Sequence, residues 1–407
     1  MKTASSGMAW GGRNSQGVTR VGAAVLAGFF CCLLTSAWTR TTWAEEREPT
    51  LGARLYAQHC AACHGERGDG LGRAAAFLFP KPRDFRRGRF RLVSTANGVP
   101  TREDLDAVLQ RGMPGSAMPP WHFLSAEERR ALIDQIYVFL RDGLREAYIA
   151  RYQEEEGLTD EELKEELADP DFRAEIEEFV RDRSTPGELT SVPDLGQPTP
   201  DALAEGKRIY VAQGCVSCHG ETGKGDGVKK MVDDEGYPTR PRDFTRGIFK
   251  GGHDAASLYR RTAYGMPGTP MPATNTLTPV QIAKLVHWIR SLSDEPTRQE
   301  AIVRRVRIPV KRVASLPDKI RVSSPLWDQG EATAVHLIPT WWRDDFPTRV
   351  VVAAIHDGKE LAIRLTWEDA TPNWTSHRTT DFPDAVAVEL FTGKQEPFLG
   401  MGSADGP

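Results

Sequence analysis

Two short stretches hold the residues best suited to chemistry: "CAACH", giving Cys60, Cys63 and His64, and "CVSCH", giving Cys215, Cys218 and His219. A thiol pair at this spacing can be a redox couple, half of a zinc site, or two attachment points for a haem. A redox couple needs a βαβ setting and gives no reason for His at the next position. A four-cysteine zinc site needs its pairs near one another, and these are far beyond ribbon spacing. Attachment of a c-type haem accounts for every member of the pattern, since the thiols add across the vinyl groups and the adjacent imidazole is drawn onto the iron. Two covalently bound haems c are expected, with His64 and His219 as proximal ligands.

A haem that only carries electrons needs its sixth position filled, and Met is the usual partner of His. Downstream, "GMPGSAMPPW" and "GMPGTPMPAT" align without a gap through the second Met. Each offers two thioethers. The chain resembles small bacterial class I cytochromes c, in which the ligand Met precedes Pro, and that resemblance favours Met118 and Met271. Met113 and Met266 are the alternatives, otherwise packing beside the haem.

Elements that would position these ligands also occur twice. "LGARLY" and "EGKRIY" are amphipathic helical turns ahead of each motif. Each half closes with a capped helix, Ser125 with Glu128 opening one and Thr278, Pro279 and Gln281 the other. They resemble the crossed terminal helices of cytochrome c, a likeness that covers about residues 50–142 and 200–295. "PRDFRRGRF" and "PRDFTRGIF" form a third shared element. There Arg83 and Arg242 are candidates for haem propionates, a guanidinium fork suiting a carboxylate. The equal alternative leaves both arginines at the surface beside turns held by Asp84 and Asp243. His59 and His253 have no counterpart in the other half and receive no ligand role, and His122 and His287 read as surface or packing residues.

The chain has 407 residues and a net charge of −4, with no basic block, which disfavours a nucleic-acid partner. Its N-terminus carries Lys2, Arg13 and Arg20 before an uncharged stretch from Val21 to Trp38. This is the pattern of an export signal cleaved after Ala44, or of a retained membrane anchor through residues 21–38. A periplasmic location is expected. The remaining cysteines, Cys31 and Cys32, lie in the apolar stretch and leave none for a structural disulfide.

The domains expected are a leader over 1–44, a first cytochrome c domain over 45–142, an acidic helical segment and linker over 143–198, a second cytochrome c domain over 199–296, and a β-rich domain over 297–407. The acidic segment should form short exposed helices broken at Asp169–Pro170, followed by a stiff extended linker. Beyond Glu295 the pattern alternates, and "HDGK" from His356 marks a hairpin, so the last part reads as a β-sandwich or barrel. The fold class is therefore multidomain: two all-α domains followed by a sandwich-like β domain.

Three pieces of that last part, "HDGKELAIRLTWEDAT", "FPDAVAVELF" and "PFLGMGSADGP", resemble the haem b-binding domain of the ethylbenzene dehydrogenase γ subunit and its relatives. The resemblance implies Met401 as an axial ligand of a haem b. The family's other ligand, a Lys nearer the domain's C-terminus, has no counterpart before Pro407. It further implies a molybdoenzyme partner with catalytic and iron–sulfur subunits, and exchange with soluble or membrane redox carriers. An electron-transfer subunit without substrate chemistry of its own is the expected function. The alternatives are a dihaem enzyme of peroxidase or thiosulfate-oxidising type, which needs an open sixth position, and a free-standing dihaem shuttle.

Overall fold

In the computed structural model, the residues described are 48–302, 306–337, 339–341, 347–369, 384–386, 388 and 390. The first repeat begins with helix α1 (Leu51–His59), whose start is fixed by the Thr50 hydroxyl accepting from the Ala53 amide at 3.1 Å. It crosses α4 (Ala126–Glu156), which opens with the full Ser125–Glu128 capping box. Gly52 makes the crossing possible, because a Cβ there would lie 2.1 Å from the Ala131 carbonyl oxygen. Tyr56 packs edge-on against Phe139 with centroids 4.7 Å apart, and its hydroxyl donates to the Gly65 carbonyl at 2.8 Å. With α3 (Arg102–Arg111) these helices bury Leu55, Leu105, Leu132, Ile133 and Leu140, at roughly 1.5–3 kcal/mol for each fully buried side chain.

The second repeat rebuilds the arrangement from different residues. Helix α7 (Pro200–Ala212) starts at Thr199 and crosses α10 (Pro279–Ser291), which opens with a Thr278–Gln281 capping box. Gly206 sits at this crossing, where a Cβ would come within 2.2 Å of the Lys284 carbonyl oxygen. Tyr210 packs against Trp288 at 4.3 Å and donates to the Gly220 carbonyl at 2.6 Å, as Tyr56 does in the first repeat. Helix α9 (Ala255–Tyr264) closes the core through Leu258 and Tyr259.

Between the repeats the structure departs from expectation. Helix α4 does not end near Asp142; it continues to Glu156 and stops at Gly157, which adopts the left-handed conformation at φ +66°. Helices α5 (Asp160–Glu166) and α6 (Pro170–Ser184) follow, with Asp169 capping α6 and Pro170 in its first turn. Phe172, Ile176 and Val180 of α6 bury against Tyr148 of α4. The acidic segment thus folds as a helical hairpin, the end of α4 against α6, with its own small core.

The linker over 185–198 is extended, but it is bound along its length. Its Thr190 amide donates to the Ser94 carbonyl at 2.7 Å, and its Glu188 carbonyl accepts from the Ala96 amide at 2.8 Å. The Asn97 side chain accepts from the Gly187 amide and donates to the Thr185 carbonyl. Toward the second repeat, the Tyr264 hydroxyl donates to the Ser191 carbonyl at 3.0 Å and His287 donates to the Leu195 carbonyl at 2.8 Å. The strap ties one repeat to the other.

The C-terminal part is a four-stranded mixed sheet among the described residues, where a sandwich or barrel was expected. The central strand β5 (Arg349–His356) pairs antiparallel with β6 (Leu361–Thr366) on one edge. Its other edge is shared by β4 (Ala332–His336), antiparallel, and β3 (Val310–Arg312), parallel. The predicted hairpin joins β5 to β6, with His356 opposite Leu361 and Gly358 at φ +101°. A backbone hydrogen bond from Phe79 to Thr340 and a Phe79–Trp341 ring stack at 5.3 Å seat this part on the first repeat. Among the described residues no helix is long and apolar enough to cross a membrane, and residues 21–38 and Met401 lie outside them.

Candidate functional site

The chain turns at Cys60 from α1 into the single turn α2 (Ala61–His64), so both thiols and the imidazole issue from one corner of backbone. Gly65 leaves that corner at φ +79°, where a side chain would collide with the Asp69 carboxylate at 2.0 Å. Cys60, Cys63 and His64 line a mostly apolar cavity of about 670 Å³. His64 is fixed from two sides: its Nδ1 lies 3.0 Å from the Arg83 carbonyl and its ring stacks on Phe85 at 4.6 Å. A carbonyl can only accept, so Nδ1 carries the proton and Nε2 keeps its lone pair for a metal. Burial lowers the pKa of the imidazole and keeps it neutral, as a ligand must be.

The thiols argue against a redox couple. Burial pushes Cys60 up to about 12, and it also raises Cys63 and Cys215, whereas a reactive pair needs a lowered pKa. The four thiols form no disulfide, and among the described residues no group of three His, Cys, Asp or Glu converges to hold a bare metal ion.

Both methionines of the downstream loop face the same cavity. Gly112, at φ +70°, turns the chain after α3, and the Met113 amide donates to the Met118 carbonyl at 3.1 Å, closing a tight loop that presents both side chains. Met118 also packs on the main core. In the second repeat Gly265 and the Met266 to Met271 hydrogen bond at 3.2 Å build the same loop.

Around the second motif, α8 (Val216–His219) is again a single turn closed by glycine, Gly220 at φ +77°. His219 stacks near Phe244 at 5.1 Å, and burial pushes its pKa down to about 4. Its Nδ1 is buried without a hydrogen-bond partner, so this ring is neutral and uncommitted. A cavity of haem size with two thiols and a neutral imidazole in one corner, apolar walls and a thioether loop fits a covalently attached haem c.

The two arginines of the shared "PRDF" element have unequal fates. Arg83 lines the first cavity while its guanidinium approaches Glu235 at 3.3 Å and Asp234 at 3.7 Å. Those carboxylates lie in the turn between strands β1 (Met231–Val232) and β2 (Pro238–Thr239), a hairpin of the second repeat. Arg242 is buried, donates from Nε to the Pro114 carbonyl at 3.3 Å, and also lines the first cavity. A residue expected to serve its own repeat has crossed to the other. Arg91 and Lys250 line the cavity too. Sequence reasoning passed over them, although they occupy equivalent places just after the two "PRDF" elements and both are cations. His59 lines the cavity beside Trp121, at 5.2 Å between rings. His253 contacts Glu295 at 3.3 Å, and His122 is exposed.

Residues 203–293 match the family described as Cytochrome c, and residues 47–138 match the family described as Cytochrome C oxidase, cbb3-type, subunit III. No curated protein matches the chain. Among solved structures, a chain of the Kuenenia stuttgartiensis reducing HAO-like protein complex is similar at 30% identity, over 60% of this chain and 97% of that one, with a TM-score of 0.48. The family matches fall on the two repeats and enclose Cys60, Cys63 and His64 in one and Cys215, Cys218 and His219 in the other. These repeats are cytochrome c domains, and the chain is a dihaem cytochrome c.

Proposed function

We propose that the chain is an exported electron relay, with His64 and Met118 ligating the first haem iron and His219 and Met271 the second, and that it serves as a subunit of a larger oxidoreductase complex. The observation that carries the reading is the cavity that gathers two thiols, a neutral imidazole and a thioether loop, with the same local parts recurring in the second repeat. Haem c ligated on both faces exchanges single electrons and has no open position for a substrate.

The protein's own residues do the tuning. Cys60, Cys63, Cys215 and Cys218 anchor, and the Arg83 carbonyl and the Phe85 ring hold the His64 imidazole in one orientation. Phe85, Phe90 and Leu109 keep water from the cavity's interior. The resemblance of residues 356–407 to ethylbenzene dehydrogenase γ subunits supports a type II molybdoenzyme as the partner and a haem b held in part by Met401.

The test is a pyridine haemochrome spectrum of the purified exported protein, with its mass after acid–acetone extraction and its ferric electron paramagnetic resonance spectrum. Two covalent haems, both low-spin, are expected, with an extractable haem b in addition if Met401 is a ligand. A high-spin resting haem would replace the relay by an enzyme with an open iron.

A further inference from the structure

The wall of the first cavity carries more positive charge than its own repeat supplies. Arg91 comes from the first repeat, while Arg242 and Lys250 come from the second. Arg91 is matched by Asp233 at 2.7 Å, yet its Nε is buried without a hydrogen-bond partner. Among the described residues no carboxylate lies within ion-pairing distance of Lys250. Burial first, then the nearby Arg242, Arg91 and Arg83, hold its pKa well below the ordinary lysine value against a smaller opposing pull from Asp233. Burial likewise pushes Arg242 down to about 10.

A buried lysine set among arginines, as Lys250 is, keeps its charge only if an anion completes the group, and is otherwise driven to its neutral form. The rest of the lining is mostly apolar, with Lys81 and Arg83 its other cations, so the occupant that fits is a largely apolar molecule with an anionic edge. Haem, with two carboxylates on one edge, meets both requirements.

We infer that the propionates of the first haem are held by a cation set drawn from both domains, Arg91 from its own and Arg242 and Lys250 from the second. This rests on the dihaem reading above and adds to it: the second domain takes part in setting the reduction potential of the first haem. A cation beside a haem favours the reduced, less positive iron, so removing the cation favours the oxidised form.

The experiment is a spectroelectrochemical titration of the full chain and of its Lys250→Met and Arg91→Met variants. Each substitution is expected to change the oxidised-to-reduced ratio of one haem about tenfold toward oxidised, a downward shift of about 59 mV for one electron. The decisive point is that both variants should move the same one of the two potentials, although they lie in different repeats. Lys250→Arg, which keeps the charge, should return that potential toward its starting value, and Lys250→Gln serves if the Met variant does not fold. Movement of different potentials would mean that each cation serves the haem of its own repeat, and would overturn the proposal. So would two potentials that stay where they were. A chain with fewer than two one-electron waves would contradict the dihaem relay itself, a result distinct from either.

Discussion

Met113 and Met118 both face the first cavity, so geometry alone leaves two thioethers competing for one position. The motif resemblance assigns it to Met118. Met118→Ala is therefore expected to convert one haem from low-spin to high-spin and to remove its thioether–iron absorption band, while Met113→Ala leaves both signatures in place. The opposite pattern in the optical and paramagnetic spectra would transfer the role to Met113. At this scale the sequence was most legible where chemistry demands contiguity. Cys60, Cys63 and His64 had to be neighbours in the chain to be neighbours in space. Arg242 was not legible in the same way: aligning the repeats assigns it to its own domain, and nothing in a one-dimensional alignment records that its Nε reaches Pro114 of the other.

The helices show how a glycine can mean opposite things. Gly143 invites reading as a helix stop, but α4 runs through it, because at that point the helix meets the first-repeat loop and a Cβ would lie 2.3 Å from the Arg86 carbonyl oxygen. Gly52 and Gly206 belong to the same kind, chosen for close approach and not for flexibility. Propensity alone predicts that Gly206→Ala stabilises α7 by about 1 kcal/mol. The crossing predicts the reverse, a loss of about 1–3 kcal/mol from overpacking, measurable by denaturant unfolding. The capping boxes at Ser125 and Thr278 were readable because both partners are three residues apart. The strap from Thr185 to Leu195 was not, since much of its hold comes from backbone groups that leave no trace in side-chain pattern. Alternation in the last part was legible as strand, but period-two burial is the same for one sheet seated on a domain as for half of a sandwich.

For the molecule as a whole, the seam between the repeats is an ionic one. The hairpin carrying Asp233, Asp234 and Glu235 reaches Arg91, Arg89 and Arg83 of the first repeat. The Arg91–Asp233 pair has side chains only 11% and 7% exposed, so solvent screens it little. Asp233→Asn retains the oxygen that accepts from the Glu235 and Tyr237 amides while removing the charge. It is expected to cost about 1–3 kcal/mol, because Arg91 loses its protein carboxylate and keeps only the anion facing it from the cavity. Guanidinium unfolding followed separately by Trp fluorescence and by haem absorbance should then resolve two transitions where the parent shows one.

The crossing of Arg242 and Lys250 into the first cavity also bears on the order in which the protein is made. Synthesis delivers Cys60, Cys63 and His64 long before the residues that complete the wall around them, and domains generally fold as they emerge, N-terminal first. Until the second repeat has folded against it, the first pocket lacks Arg242 and Lys250 from its wall, and that side is the one left open to an incoming haem.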